Sequence, residues 1–216
     1  MSFIEQNNDN KNNTISMENT YNNNNNHEKY SLSKRCRKRN TKISCITIHC
    51  SPQFSGERMI MILEDLYRYT SFNYLIDKDG KVDEIVPEQF GSWSTGSPEN
   101  DKAAINIICS LNRGTLTDDY DVTTKMKDSP YLTETVFDSL IKLCAYTVKK
   151  YGYKQLLWNP NGDYNDAPAD AMVITMHKLV NPYGRGQGCV PELVESRFGE
   201  LALRVTEEVN GNNKRN

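Results

Sequence analysis

The sequence predicts an α/β fold, a central mixed sheet covered by helices, in a single domain with a disordered N-terminal tail. Three observations carry this prediction. The runs ISCITIHC, AINIICS and MVITMH are short and apolar on both faces, the pattern of strands buried within a sheet. Two longer segments place apolar residues at helical spacing, so that one stripe can pack on such a sheet. Strands and helices follow one another in mixed order without an internal repeat, and 216 residues suffice for one well-buried core but not two ordinary ones.

The elements follow in order. Residues 1–40 are dominated by Asn and offer too little apolar surface to offset the entropy of ordering them, so a disordered tail is expected. His27 falls within it. The tail ends in a basic cluster, KRCRKRNTK, read as a solvated linker, with contact to nucleic acid or an anionic envelope as the alternative. Ordered structure is expected from Ile43, in a domain spanning residues 41–210. Its first strand, ISCITIHC, leads to His49. Residues 56–69 then put Met59, Ile62, Leu63 and Leu66 on one helical stripe. FNYLID and KVDEIV flank Asp77 to Gly80 and predict a hairpin, because Asp79-Gly80 supplies the positive φ that a tight turn needs. GSWSTGSPEND reads as turns, AINIICS as a strand, and residues 111–130 as polar and irregular. From Thr133 to Tyr151 the period is helical again, with Val136, Leu140 and Leu143 beside Phe137, Ile141 and Cys144, and Gly152 is placed to cap it. The strand QLLW, a polar loop and the strand MVITMH follow, the last ending at His177. A glycine-rich NPYGRGQGC leads into a final helix from Pro191 to about Asn210, and residues 211–216 form a polar C-terminal tail.

Composition removes several function classes. Charged residues make up 25% and the formal net charge is -2, so no broad nucleic-acid footprint is expected. Among the six cysteines, Cys45, Cys109 and Cys144 lie between Ile and Leu and read as small core hydrophobes. No apolar run approaches the roughly 20 residues that span a bilayer. The N-terminus has no apolar signal segment, so nothing in the sequence directs secretion.

Outside the tail the chain has two histidines, and each stands at the C-terminal end of a predicted buried strand. Strand ends in α/β sheets open onto the crevice where ligands bind, so His49 and His177 can converge. Cys189 follows His177 across a loop whose Gly184, Gly186 and Gly188 let the backbone fold back. Two imidazoles and one thiolate make a catalytic zinc set with a fourth position open. The competing reading is that each histidine is a hydrogen-bonded core residue.

The motif series TIHCS, SFNYLIDKDGKVDEIVPE, SWSTGSPENDKAAINI, ETVFDSLIKLCAYTVKKYGY, ITMH and GCVPEL, in unbroken order, resembles zinc-dependent N-acetylmuramoyl-L-alanine amidases of type 2. This group is related to peptidoglycan recognition proteins, and the chain resembles most the amidases of phage and prophage endolysins. The resemblance implies zinc held by His49, His177 and Cys189, with peptidoglycan as substrate. It implies hydrolysis of the amide between N-acetylmuramic acid and L-alanine by zinc-activated water. Gln187, Arg185 or Lys178 would stabilise the developing oxyanion. Phe72, Tyr74, Trp93, Ser94 and Thr95 are expected to line the substrate cleft.

The chain departs from the family pattern at three places. Phe72 stands where a tyrosine is common, Gln187 where a lysine or threonine is, and Ile108 where many relatives are acidic. The interval from His177 to Cys189 is also longer than usual. Two rival readings follow: a non-catalytic peptidoglycan-binding module of the same fold, and a cysteine peptidase using Cys189 or Cys50 with His177.

Overall fold

The computed structural model describes residues 36–51, 70–111, 132–182 and 190–211. The predicted helix at 56–69, all but the first residue of the irregular stretch at 111–130 and the loop carrying Arg185, Gln187 and Cys189 lie outside the described residues. So do the tail before residue 36 and the last five residues.

Eight strands are described: β1 (Cys36–Lys38), β2 (Cys45–Ser51), β3 (Tyr74–Ile76), β4 (Val82–Glu84), β5 (Phe90–Ser92), β6 (Ala104–Ser110), β7 (Gln155–Trp158) and β8 (Ala171–Met176). Six form a sheet in the order β4-β3-β6-β2-β8-β7, in which only β3 and β4 run antiparallel. The sheet is therefore mixed, as the sequence predicts. The helices are α1 (Pro98–Ala103), α2 (Glu134–Lys150), α3 (His177–Val180), α4 (Glu192–Glu195) and α5 (Phe198–Val209).

Alternation along the central strands gives the sheet two unlike faces. Ile46, Ile48 and Cys50 of β2, Ile105, Ile107 and Cys109 of β6, and Met172, Ile174 and Met176 of β8 join one apolar cluster with Val136, Phe137 and Leu140 of α2 and Leu201 and Val205 of α5. That face is the main core. The opposite face carries Thr47, His49 and Asn106, all buried, and it is partly covered by α1, whose Asn100 meets Thr47.

Helix α2 starts where Thr133 accepts a hydrogen bond from the Val136 N–H, and it ends before Gly152, whose φ of 78° continues the chain away. The hairpin β3–β4 turns at Gly80, with φ of 77°, a backbone conformation that glycine adopts without steric cost.

Three readings change. The basic segment is not a solvated linker at Cys36 to Arg39, nor does order begin only at Ile43: β1 pairs antiparallel with β5. Arg39 beyond it donates to the carbonyls of Glu88, Asp101, Lys102 and Ala104 and to Asn73 Oδ1. A guanidinium supplied with that many acceptors orders the chain without apolar surface. Within GSWSTGSPEND the chain forms the end of β5 and the start of α1 as well as turns. There Ser97 accepts from the Asn100 N–H and Pro98 begins the helix. The final helix is two, α4 and α5, parted at Ser196 and Arg197; Val194, Phe198, Leu201 and Val205 still keep one buried stripe, which is why the sequence reads as continuous.

Candidate active site

The two histidines meet because of strand register. In the parallel pair β2 and β8, Ile48 stands opposite Met176, so His49, the next residue of β2, lies beside His177, which follows the end of β8 as the first residue of α3. Ile48 and Met176 point into the main core, and alternation sends both imidazoles to the other face. Their ring centroids lie 5.6 Å apart in an edge-on arrangement.

Each ring is held by a further group. His49 Nε2 lies 3.1 Å from Asn106 Oδ1, which fixes the proton on Nε2 and the lone pair on Nδ1. Asn106 sits on the site face of β6, the strand beside β2. The backbone of Thr95 hydrogen-bonds His177, and Asn181 Nδ2 donates to the Thr95 carbonyl at 2.9 Å. Burial lowers the pKa of both rings. His49 falls to about 3, chiefly by desolvation and with some repulsion from His177, although the bond to Asn106 opposes the fall. His177 moves the same way by desolvation, opposed by its bond to Thr95. Both are therefore neutral imidazoles near pH 7, the form that binds metal.

His177 Nε2 is buried and has no hydrogen-bond partner among the described residues. An orphaned buried ring nitrogen is costly unless something absent here accepts its interaction. Two imidazoles on one tetrahedral zinc, with Zn–N near 2.0–2.1 Å, have ring centroids about 5 Å apart. The observed separation and the orphaned nitrogen fit a shared metal. Among the described residues no third His, Cys, Asp or Glu completes a cluster with these two.

One wall of the site is apolar. Phe72 meets the His49 ring edge-on at 5.0 Å, and it packs in a small cluster with Leu75, Ile85, Val86 and Ile108. Ile108 is the register partner of His49 across β2 and β6. Two departures from the family pattern, Phe72 and Ile108, are thus in one place and dry the same imidazole.

A cleft of about 490 Å³ opens on the other side, lined by His177, Trp93, Asn181, Arg37 and Lys102 among others. Trp93 is a cleft wall. Ser94 and Thr95 also line it, but their hydroxyls are engaged within the protein: Ser94 Oγ donates to the Ser71 carbonyl and Thr95 Oγ1 to the Asp101 carboxylate.

Tyr74 is not a cleft residue. It is buried in the main core, and its hydroxyl donates to Glu88 Oε1 at 2.7 Å. Alternation fails to carry over from Phe72 because the chain kinks at Asn73, whose carbonyl accepts from both Ile85 and Val86. Cys50 likewise points into the main core, which removes it as a partner for His177. Lys178 is paired with Glu195.

The family model described as N-acetylmuramoyl-L-alanine amidase matches residues 39–187. The chain belongs to this family. No curated protein matches it by sequence. Among solved structures, this family member is similar to PlyL at 16% identity, covering 82% of this chain and 91% of that one, with a TM-score of 0.51. It is also similar to the catalytic domain of PlyG, at 17% identity with 86% and 90% covered and a TM-score of 0.51. The Staphylococcus aureus hydrolase AmiA, solved in complex with its ligand, gives 15%, 78% and 73%, and 0.52. At these identities the likeness establishes a shared fold.

Sequence reasoning found the histidine pair and Trp93 but missed Asn106, Asn181 and the two cations of the cleft. A signal for Asn106 existed: a polar residue that strands disfavour, inside an otherwise apolar strand.

Proposed function

We propose that this amidase-family chain hydrolyses the amide between N-acetylmuramic acid and L-alanine in peptidoglycan, with zinc held by His49, His177 and Cys189. The observation that carries the reading is the pair of buried, neutral imidazoles brought together where the parallel strands β2 and β8 run out, one of them with a nitrogen that has no partner among the described residues. Zinc bound there would acidify water and polarise the amide carbonyl. The protein's own groups prepare the site. Asn106 holds His49 in one tautomer, and Thr95, steadied by Asn181, orients His177. Phe72 and Ile108 exclude water from the His49 side. Arg185 and Gln187, on the loop between His177 and Cys189, are the donors assigned to the oxyanion that develops on the carbonyl.

Metal analysis of the purified protein, paired with dye release from labelled peptidoglycan, tests this. The unmutated chain is expected to carry one zinc and to release dye. Chelator, His49→Ala and His177→Ala should each abolish release, with the two variants losing the metal. Release that persists without zinc would overturn the reading. A second reading, a peptidoglycan-binding module without hydrolysis, is favoured by the apolar contact of Phe72 with His49, since Phe72 has no hydroxyl to donate. Zinc content and retention on insoluble peptidoglycan without dye release would select it.

A further inference from the structure

The cleft beside His177 contains two cations that the proposed chemistry leaves unused. Arg37 lies on β1, outside the stretch that matches the family model, with its guanidinium carbon 5.4 Å from the centre of the Trp93 ring. Its partner across the β1–β5 ribbon is Gly91. Gly91 has no room for a side chain: a Cβ there would lie 2.6 Å from the Asp101 carbonyl oxygen and 3.4 Å from Lys102 Cα. This close approach seats the backbone of α1 directly against the β1–β5 ribbon and so brings Lys102 to the same cleft as Arg37; all three residues line the cleft that reaches His177.

The charge balance of this part of the cleft is positive. Neither Arg37 nor Lys102 forms an ion pair among the described residues. The neighbouring carboxylate, Asp101, is already engaged by the N–H groups of Ser94 and Thr95 and by the Thr95 hydroxyl. Two cations without an ion pair among the described residues, one of them in cation–π contact with Trp93, are suited to a carboxylate, which a guanidinium grips with two parallel hydrogen bonds.

We propose that Arg37 and Lys102 form a carboxylate-binding subsite, which selects substrates whose peptide carries a free carboxylate over those in which that group is amidated. The proposal rests on the amidase reading for the identity of the ligand as a muramyl peptide. The subsite sorts substrates and takes no part in bond cleavage. It gives the N-terminal basic segment a function that the family fold does not require.

The test compares two muramyl tripeptides, one with free carboxylates and one with those carboxylates amidated, for cleavage and for binding by isothermal titration. The full-length chain is expected to favour the free form by at least about ten-fold, the scale of one charge-assisted hydrogen bond. In Arg37→Ala and in Lys102→Ala the ratio should fall toward one, and Arg37→Lys should restore part of it. Inorganic phosphate competing as strongly as acetate would show a general anion site and overturn carboxylate selection. An unmutated chain without preference, or variants that keep the full preference, would overturn the proposal. Preferential binding of the free form without any cleavage would leave the subsite standing and sink the amidase reading instead. Lys102→Ala keeps the test decisive should Arg37→Ala disturb β1.

Discussion

At the scale of single residues, the site turns on what lies behind each histidine. Asn106 Oδ1 accepts a hydrogen bond from His49 Nε2, so Nδ1 is the nitrogen that would face a metal. Asn106→Leu should leave the fold intact and weaken zinc binding about 10–100-fold, the cost typical of losing a partner to a ligating imidazole. Competition against a fluorescent chelator measures this. Unchanged affinity in Asn106→Leu would mean that the 3.1 Å contact does not orient the ring. The same residue shows how far the sequence could be read. His49 and His177 were legible because a histidine closing an apolar strand is conspicuous, whereas an Asn inside a strand on the far side of the sheet carries meaning only once the register is known. Tyr74 misled for a related reason. An aromatic ring suits a cleft wall and a core equally, and which face of the sheet Tyr74 takes is decided by the bend at Asn73.

Elements that bury apolar side chains were legible, and those held by polar contacts were not. β2, β6 and β8 are written as β-branched runs, and α2 as a stripe with a Thr133 cap. β1 is three residues of Cys, Arg and Lys, which no periodicity marks as a strand. It is fixed by the β5 ladder and by Arg39, whose donors satisfy carbonyls from the segment before β5, the end of α1 and the start of β6. Arg39→Ala should therefore cost about 2–4 kcal/mol, since several buried carbonyls lose a charged donor at once. Arg39→Lys should recover little, because an ammonium cannot span a fork of acceptors. Urea unfolding with an unchanged slope reads the loss as stability. A shift below about 0.5 kcal/mol in Arg39→Ala would show that the ribbon contributes nothing to the fold.

For the molecule as a whole, the sheet separates two tasks. One face, with α2 and α5, holds the main core, and no histidine belongs to it. The other face holds the candidate metal ligands, a small apolar cluster and the cleft. A metal on the second face is not needed to complete the first, which distinguishes this arrangement from small zinc domains that unfold without metal. The chelated protein should keep its far-UV circular dichroism and a cooperative melt. Zinc binding to the folded state alone should still stabilise it by about 2.7 kcal/mol at a free concentration 100 times the dissociation constant. For a chain of this size that corresponds to a melting temperature roughly 5–10 °C higher with zinc than without. His177→Ala should melt at one temperature whether or not zinc is present. Collapse of the chelated protein would show that the core depends on the metal, and an unmutated chain whose melting ignores zinc would show that the two imidazoles, for all their proximity, do not hold it.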